Sequence, residues 1–144
     1  MKNIWTVACN NSIIDQETNS LSMIETLDEI NVPYEGEMNL KEIKVITIPF
    51  YIISLWFDEN TKIDRAFELI VEVTDPKKKV IQTFKQNCVI ETGKQRLRVV
   101  YKIKGFGFND QGIYTLNIKF KEGENSYKKV NEIPININLT KKIK

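Results

Sequence analysis

The chain has 144 residues, with 21 Lys and Arg, 19 Asp and Glu, two Cys and no His. That length fits one domain, able to bury roughly two thirds of its unfolded surface without staples or metals. Without His there is no Ser-His-Asp or Cys-His nucleophile and no His-based metal site, and two cysteines cannot make a Cys₄ zinc site, so no metal or cofactor is expected.

The residue mix favours strand. Ile, Val, Thr, Phe, Tyr and Trp make up 55 of the 144 residues, against two Ala and eight Leu. β-Branched and aromatic side chains suit a pleated, half-buried surface. Eighteen Lys against three Arg, with many Ile and Asn, also suggest an AT-rich genome, so part of the Ile surplus is compositional. A net charge of +2 argues against nucleic acid as the partner. The opening Met1-Lys2-Asn3-Ile4-Trp5 has no secretory pattern, which predicts a cytoplasmic protein with reduced thiols. The longest apolar run, Val45 to Phe57, is too short for a bilayer and is broken by Pro49, so no membrane is expected.

In chain order, Trp5, Val7 and Cys9 alternate, and turn signals follow at Asn10-Asn11-Ser12 and Asn19-Ser20. Residues 21–30 admit two readings. Ser22 with Glu25 has capping-box spacing and Leu21, Ile24 and Leu27 share a helical face; the surrounding pattern places strand ahead of helix. Residues 43–57 are apolar on both faces: Ile46, Ile48, Phe50, Ile52 and Trp56 oppose Val45, Tyr51, Ile53, Leu55 and Phe57. Such a strand is either doubly buried or part of a subunit contact, which makes Phe50, Tyr51, Ile52 and Trp56 a candidate homo-oligomer interface. Further turns fall at Asp58-Glu59-Asn60, Asp75-Pro76, Glu91-Thr92-Gly93, Asn109–Gly112 and Lys121–Asn125.

Four segments alternate with period two, the mark of antiparallel sheet with one wet face. Phe67, Leu69, Val71 and Val73 oppose Glu68 and Glu72, and Leu97, Val99, Tyr101 and Ile103 oppose Arg96, Arg98, Val100, Lys102 and Lys104. Tyr114, Leu116, Ile118 and Phe120 oppose Thr115, Asn117, Lys119 and Lys121, and Ile133, Ile135, Ile137 and Leu139 oppose Asn136 and Asn138. Lys141-Lys142-Ile143-Lys144 reads as a frayed basic tail after a single domain spanning residues 1–140.

Asp110-Gln111-Gly112-Ile113-Tyr114-Thr115-Leu116 resembles the tyrosine corner of immunoglobulin-like domains, where the Tyr hydroxyl ties back to the loop backbone. Those domains often place a disulfide Cys two residues on; Leu116 stands there, so the resemblance implies no disulfide. The wider layout is similar to a family of small, uncharacterised bacterial β-sandwich proteins. The matching motifs are Ala8-Cys9, Asp15-Gln16-Glu17-Thr18, Leu21-Ser22, Asp75-Pro76, Gly112-x-Tyr114 and Ile133-Pro134. The family implies a fold and no activity. The expected fold is all-β, a single-domain Greek-key, immunoglobulin-like sandwich of about seven to nine strands.

Among candidate chemistries, Cys9 reads as a small buried hydrophobe, and Cys88, after Lys85-Gln86-Asn87, as a more exposed thiol. Asp15, Glu17, Asp28 and Glu29 lack EF-hand spacing and read as turn and edge charges. Gly105-Phe106-Gly107-Phe108 lacks the Lys and Ser/Thr of a phosphate loop; its rings are expected to plug the sandwich beside Tyr114. Arg96, Arg98, Lys102 and Lys104, with Lys119 and Lys121, would form one basic patch for an anionic partner if their strands pair. The alternative is an ordinary wet face balanced by Glu68 and Glu72.

The expected function is non-catalytic: a binding or assembly module that holds a protein partner, or a second copy of itself, through a sheet face or end loops. A second reading is a small-ligand or glycan binder with Trp5, Trp56, Phe106 or Phe108 as its platform. A third is a hydrolase working through carboxylates or Cys88.

Overall fold

The computed structural model describes residues 1–35, 45–46, 49–108 and 110–142, with only the backbone at 45 and 46. Eleven strands and no helix are found among them: β1 (Lys2–Ile14), β2 (Leu21–Thr26), β3 (Glu29–Tyr34), β4 (Val45–Ile46), β5 (Phe50–Phe57), β6 (Arg65–Thr74), β7 (Val80–Ile90), β8 (Arg96–Ile103), β9 (Gly107–Phe108), β10 (Gly112–Lys121) and β11 (Lys128–Lys141). The chain is an all-β sandwich. One sheet runs β2-β1-β5-β8, the other β3-β11-β10-β6-β7, and β4 and β9 form a short ladder of their own.

The connections are those of an immunoglobulin-like Greek key. From β5 the chain crosses to β6, makes the β6–β7 hairpin, returns to β8 beside β5, and crosses again to β10 beside β6. The alternating segments therefore land in both sheets and turn their apolar sides toward each other. Trp56, Phe67, Leu69, Val71, Val73, Val99, Ile103, Tyr114, Leu116, Ile118, Ile135 and Ile137 fill the space between them.

Residues 21–30 are strand, split at Leu27-Asp28, where the chain changes sheets. The Leu27 amide still bonds the Ala8 carbonyl at 2.8 Å, the Asp28 carbonyl accepts from the Asn136 amide at 2.9 Å, and β3 then runs parallel to β11. Pairing along β1 outweighs the local helical signal. Asn10-Asn11-Ser12 is not a turn: β1 passes straight through it, because both flanks find ladder partners. The tail also differs from expectation. Lys141 pairs with Tyr34 and the Lys142 amide donates to the Tyr34 carbonyl at 2.9 Å; residues 143–144 lie outside the described residues.

The end of the sandwich is closed by rings. Phe106 and Phe108 are 1% and 2% exposed, with centroids 5.7 Å and 6.1 Å from Tyr114. The Tyr114 hydroxyl donates to the Asp110 carbonyl at 2.7 Å. Gly112 enters β10 with φ +142°, and a Cβ there would stand 2.9 Å from Pro76 Cγ. Only Gly fits under the β6–β7 turn at that point.

Candidate functional site

The strand bearing Tyr51 and Trp56 turns Phe50, Ile52 and Trp56 into the core, so these three do not form the expected oligomer interface. Phe50, Ile52 and Trp56 have 0%, 1% and 0% exposure and belong to the core. Tyr51 is half-buried, with the Lys102 ammonium 6.0 Å from its ring centroid. Ile48 lies outside the described residues. On the outward face of the same sheet, Cys9 and Ile53 have no exposure either.

The expected single basic patch is divided. β8 belongs to the four-stranded sheet and β10 to the five-stranded one, so Arg96, Arg98, Lys102 and Lys104 never meet Lys119 and Lys121. Lys119 bonds Glu72 at 2.9 Å, and Lys121, paired across the ladder with Glu68, lies 4.8 Å from the Tyr127 ring. These two lysines are the balanced wet face.

That face carries a groove of about 580 Å³, lined by Glu72, Thr74, Lys119, Asn117, Tyr127 and Glu132 among others. Its polar groups satisfy one another. Asn117 donates to the Glu72 carbonyl, Lys129 pairs with Glu132, and Tyr127 bonds Glu68. The Lys129 ammonium holds the Glu132 carboxyl below its ordinary range.

The other face is different. β1 and β2 form a hairpin whose tip turns back over the outside of the four-stranded sheet, where both Arg98 guanidinium nitrogens Nη1 and Nη2 donate to the Asn19 carbonyl at 3.3 Å. Asp15 holds the tip by accepting the Glu17 and Thr18 amides at 2.9 Å and 2.8 Å, bonds that keep its carboxyl below the usual range. Asn19 takes φ 57°, a conformation Asn tolerates better than most residues.

Between hairpin and sheet lies an open cleft of about 750 Å³. Trp5, Leu55, Val100, Leu21, Met23 and Ile14 supply apolar wall, Arg96 and Arg98 supply charge, and among the described residues no carboxylate lines it. Among the described residues neither arginine has an acidic partner. Trp5 is half-buried, whereas Trp56, Phe106 and Phe108 are sealed in the core and cannot be platforms. Ile13, Ile14, Met23 and Ile24 stand exposed on the hairpin, at 57%, 45%, 36% and 40%. The sequence singled out Arg96 and Arg98 as a basic patch and Trp5 as a platform, but not their meeting, which runs through Leu55, the ladder partner of both Trp5 and Arg98. It was missed because nothing local shows that the hairpin folds back.

Both thiols are free and buried. Cys88 is buried, not exposed as expected, because it faces Phe67 in the β6–β7 ladder; burial pushes its thiol up to about 11. Burial also raises Cys9. The unfolded chain loses the Cys88 proton first, so this group's contribution to stability is whole below pH 9 and falls as pH rises toward 11. Urea midpoints of the wild type should therefore drop more between those values than those of Cys88→Val; parallel declines would contradict this. Asp58 and Glu122 approach one cation, Arg65. Arg65 bridges them at 3.2 Å and 2.8 Å, which makes the trio a structural clamp.

Among the described residues no three of His, Cys, Asp and Glu gather as a metal site, and no helix is long and apolar enough to cross a membrane. The chain matches no protein-family model and no curated protein sequence.

Proposed function

We propose that this protein is a non-catalytic binding module that holds an acidic, partly apolar group of a protein partner in the cleft outside the four-stranded sheet. One observation carries the reading. Among the described residues, two arginines without acidic partners stand beside a half-exposed Trp in a concave site that no carboxylate lines. Apolar walls favour an apolar body, and the guanidinium groups take a carboxylate by paired, charge-assisted hydrogen bonds.

The test uses Trp5 as reporter, since Trp56 is sealed away. A peptide combining Glu with Leu or Phe should change the Trp5 emission, and Trp5→Phe should remove that signal. Exchanging both arginines (Arg96→Glu with Arg98→Glu) should weaken binding by about tenfold or more, and added salt should weaken the wild-type complex. Equal binding of a peptide with Lys in place of Glu would overturn the proposal.

The second reading, a small amphipathic anion, is favoured by size: ligand pockets span about 300–1,000 Å³. Native mass spectrometry separates the two. Extra mass that leaves on denaturation points to the small ligand.

A further inference from the structure

We propose that the open edge of β8 is a strand-docking site, which receives an extended segment of a partner protein carrying acidic side chains at alternate positions. The inference rests on the binding reading above and adds the backbone to it.

The backbone phase of β8 follows from one hydrogen bond. The Asp58 amide donates to the Gln95 carbonyl at 2.9 Å, so this opposed pair is of the hydrogen-bonded kind. The two kinds of pair alternate along an antiparallel ladder, so Leu97, Val99, Tyr101 and Ile103 turn their backbone groups toward β5. Arg96, Arg98, Val100 and Lys102 turn theirs away, and among the described residues β8 is the last strand of its sheet. The opposite flank of β5 shows the same phase. Ala8, paired with Ile52, gives its carbonyl to Leu27 and not to β5.

Part of this edge is closed. The Tyr101 hydroxyl donates to the Lys85 carbonyl of β7 at 3.5 Å, and its ring lies 6.3 Å from Phe84. The stretch from Arg96 to Val100 is left for an added strand.

The residues whose backbone faces the open edge are those whose side chains stand on the outer face. Every second side chain of an added strand would therefore lie beside Arg96 and Arg98. Opposite charges across a ladder attract and like charges repel. That selects an acidic segment. It also disfavours a second copy, since β8 against β8 would oppose Arg and Lys with Arg and Lys. Main-chain bonds give such a complex its affinity and alternate side chains give its specificity.

The probe is a capped peptide of about ten residues alternating Glu with Thr and Val, titrated into the intact protein. In the proposed register the Glu residues face the arginines, so their own amides pair with β8. N-methylation of the Glu amides should weaken binding by about tenfold or more, whereas N-methylation at Thr and Val should not. Val100→Pro should also weaken binding; it removes an outward amide and no ladder bond. Should both methylated peptides bind as well as the parent while Arg98→Glu abolishes binding, strand docking is overturned and the cleft reading stands. If no peptide binds, both are overturned. Self-association abolished by Val100→Pro would assign the edge to a second copy and overturn the acidic segment.

Discussion

Trp56→Ala is expected to cost about 3–5 kcal/mol, the range for deleting a buried large aromatic ring. Trp56 has no exposure, and its ring lies 4.8 Å from Phe67 and 5.1 Å from Phe120, centroid to centroid. Phe67 and Phe120 come from β6 and β10, so the Trp on β5 joins the two sheets. Its indole N–H donates to Ser54 Oγ at 2.8 Å, inside the core. Ser54→Ala would leave that donor buried and unpaired, at a cost of about 1–3 kcal/mol. Set against a total stability of about 5–15 kcal/mol, the Ala variant should melt roughly 10 °C lower or fail to fold. A denaturant series that finds it within about 1 kcal/mol of wild type would show that Trp56 does not hold the sheets together.

Tyr114→Ala should cost a similar amount, about 3–5 kcal/mol, for two separable reasons. The ring, 1% exposed, packs against Phe106 and Phe108, and the hydroxyl ties the start of β10 back to the preceding loop through the Asp110 carbonyl. Tyr114→Phe keeps the ring and removes the tie, so it should cost only about 1–2 kcal/mol. Chemical denaturation of both variants separates packing from hydrogen bond. Equal losses would mean that the hydroxyl carries the whole effect, and a neutral Phe variant would mean that the corner contributes nothing.

Much of the fold was legible because period two leaves a mark on each strand. Leu69, Val71 and Val73 or Leu116, Ile118 and Phe120 can only be buried together if their strands face one core. The pairing of strands was not legible. Lys119 and Arg98 look alike in sequence, yet one bonds Glu72 on the five-stranded sheet and the other caps Asn19 on the opposite side of the molecule. Pairing joins residues far apart in the chain, and no local pattern records it. The double apolar face of β5 was read correctly as needing a second cover. Within this chain, Ile53 on the outward face has no exposure, and the β1–β2 hairpin reaches over that face to meet Arg98 through the Asn19 carbonyl. Cys88 was misjudged for a related reason: its polar neighbours Gln86 and Asn87 say nothing of Phe67, which lies across the ladder.

The most direct measurement is an amide chemical-shift map of the protein titrated with the alternating acidic peptide. The account predicts perturbations gathered at Trp5, Leu21 to Met23, Leu55 and Arg96 to Val100, and lost in the Arg98→Glu variant. Perturbations centred on Asn117, Lys119 and Tyr127, or none at saturating peptide, would contradict it.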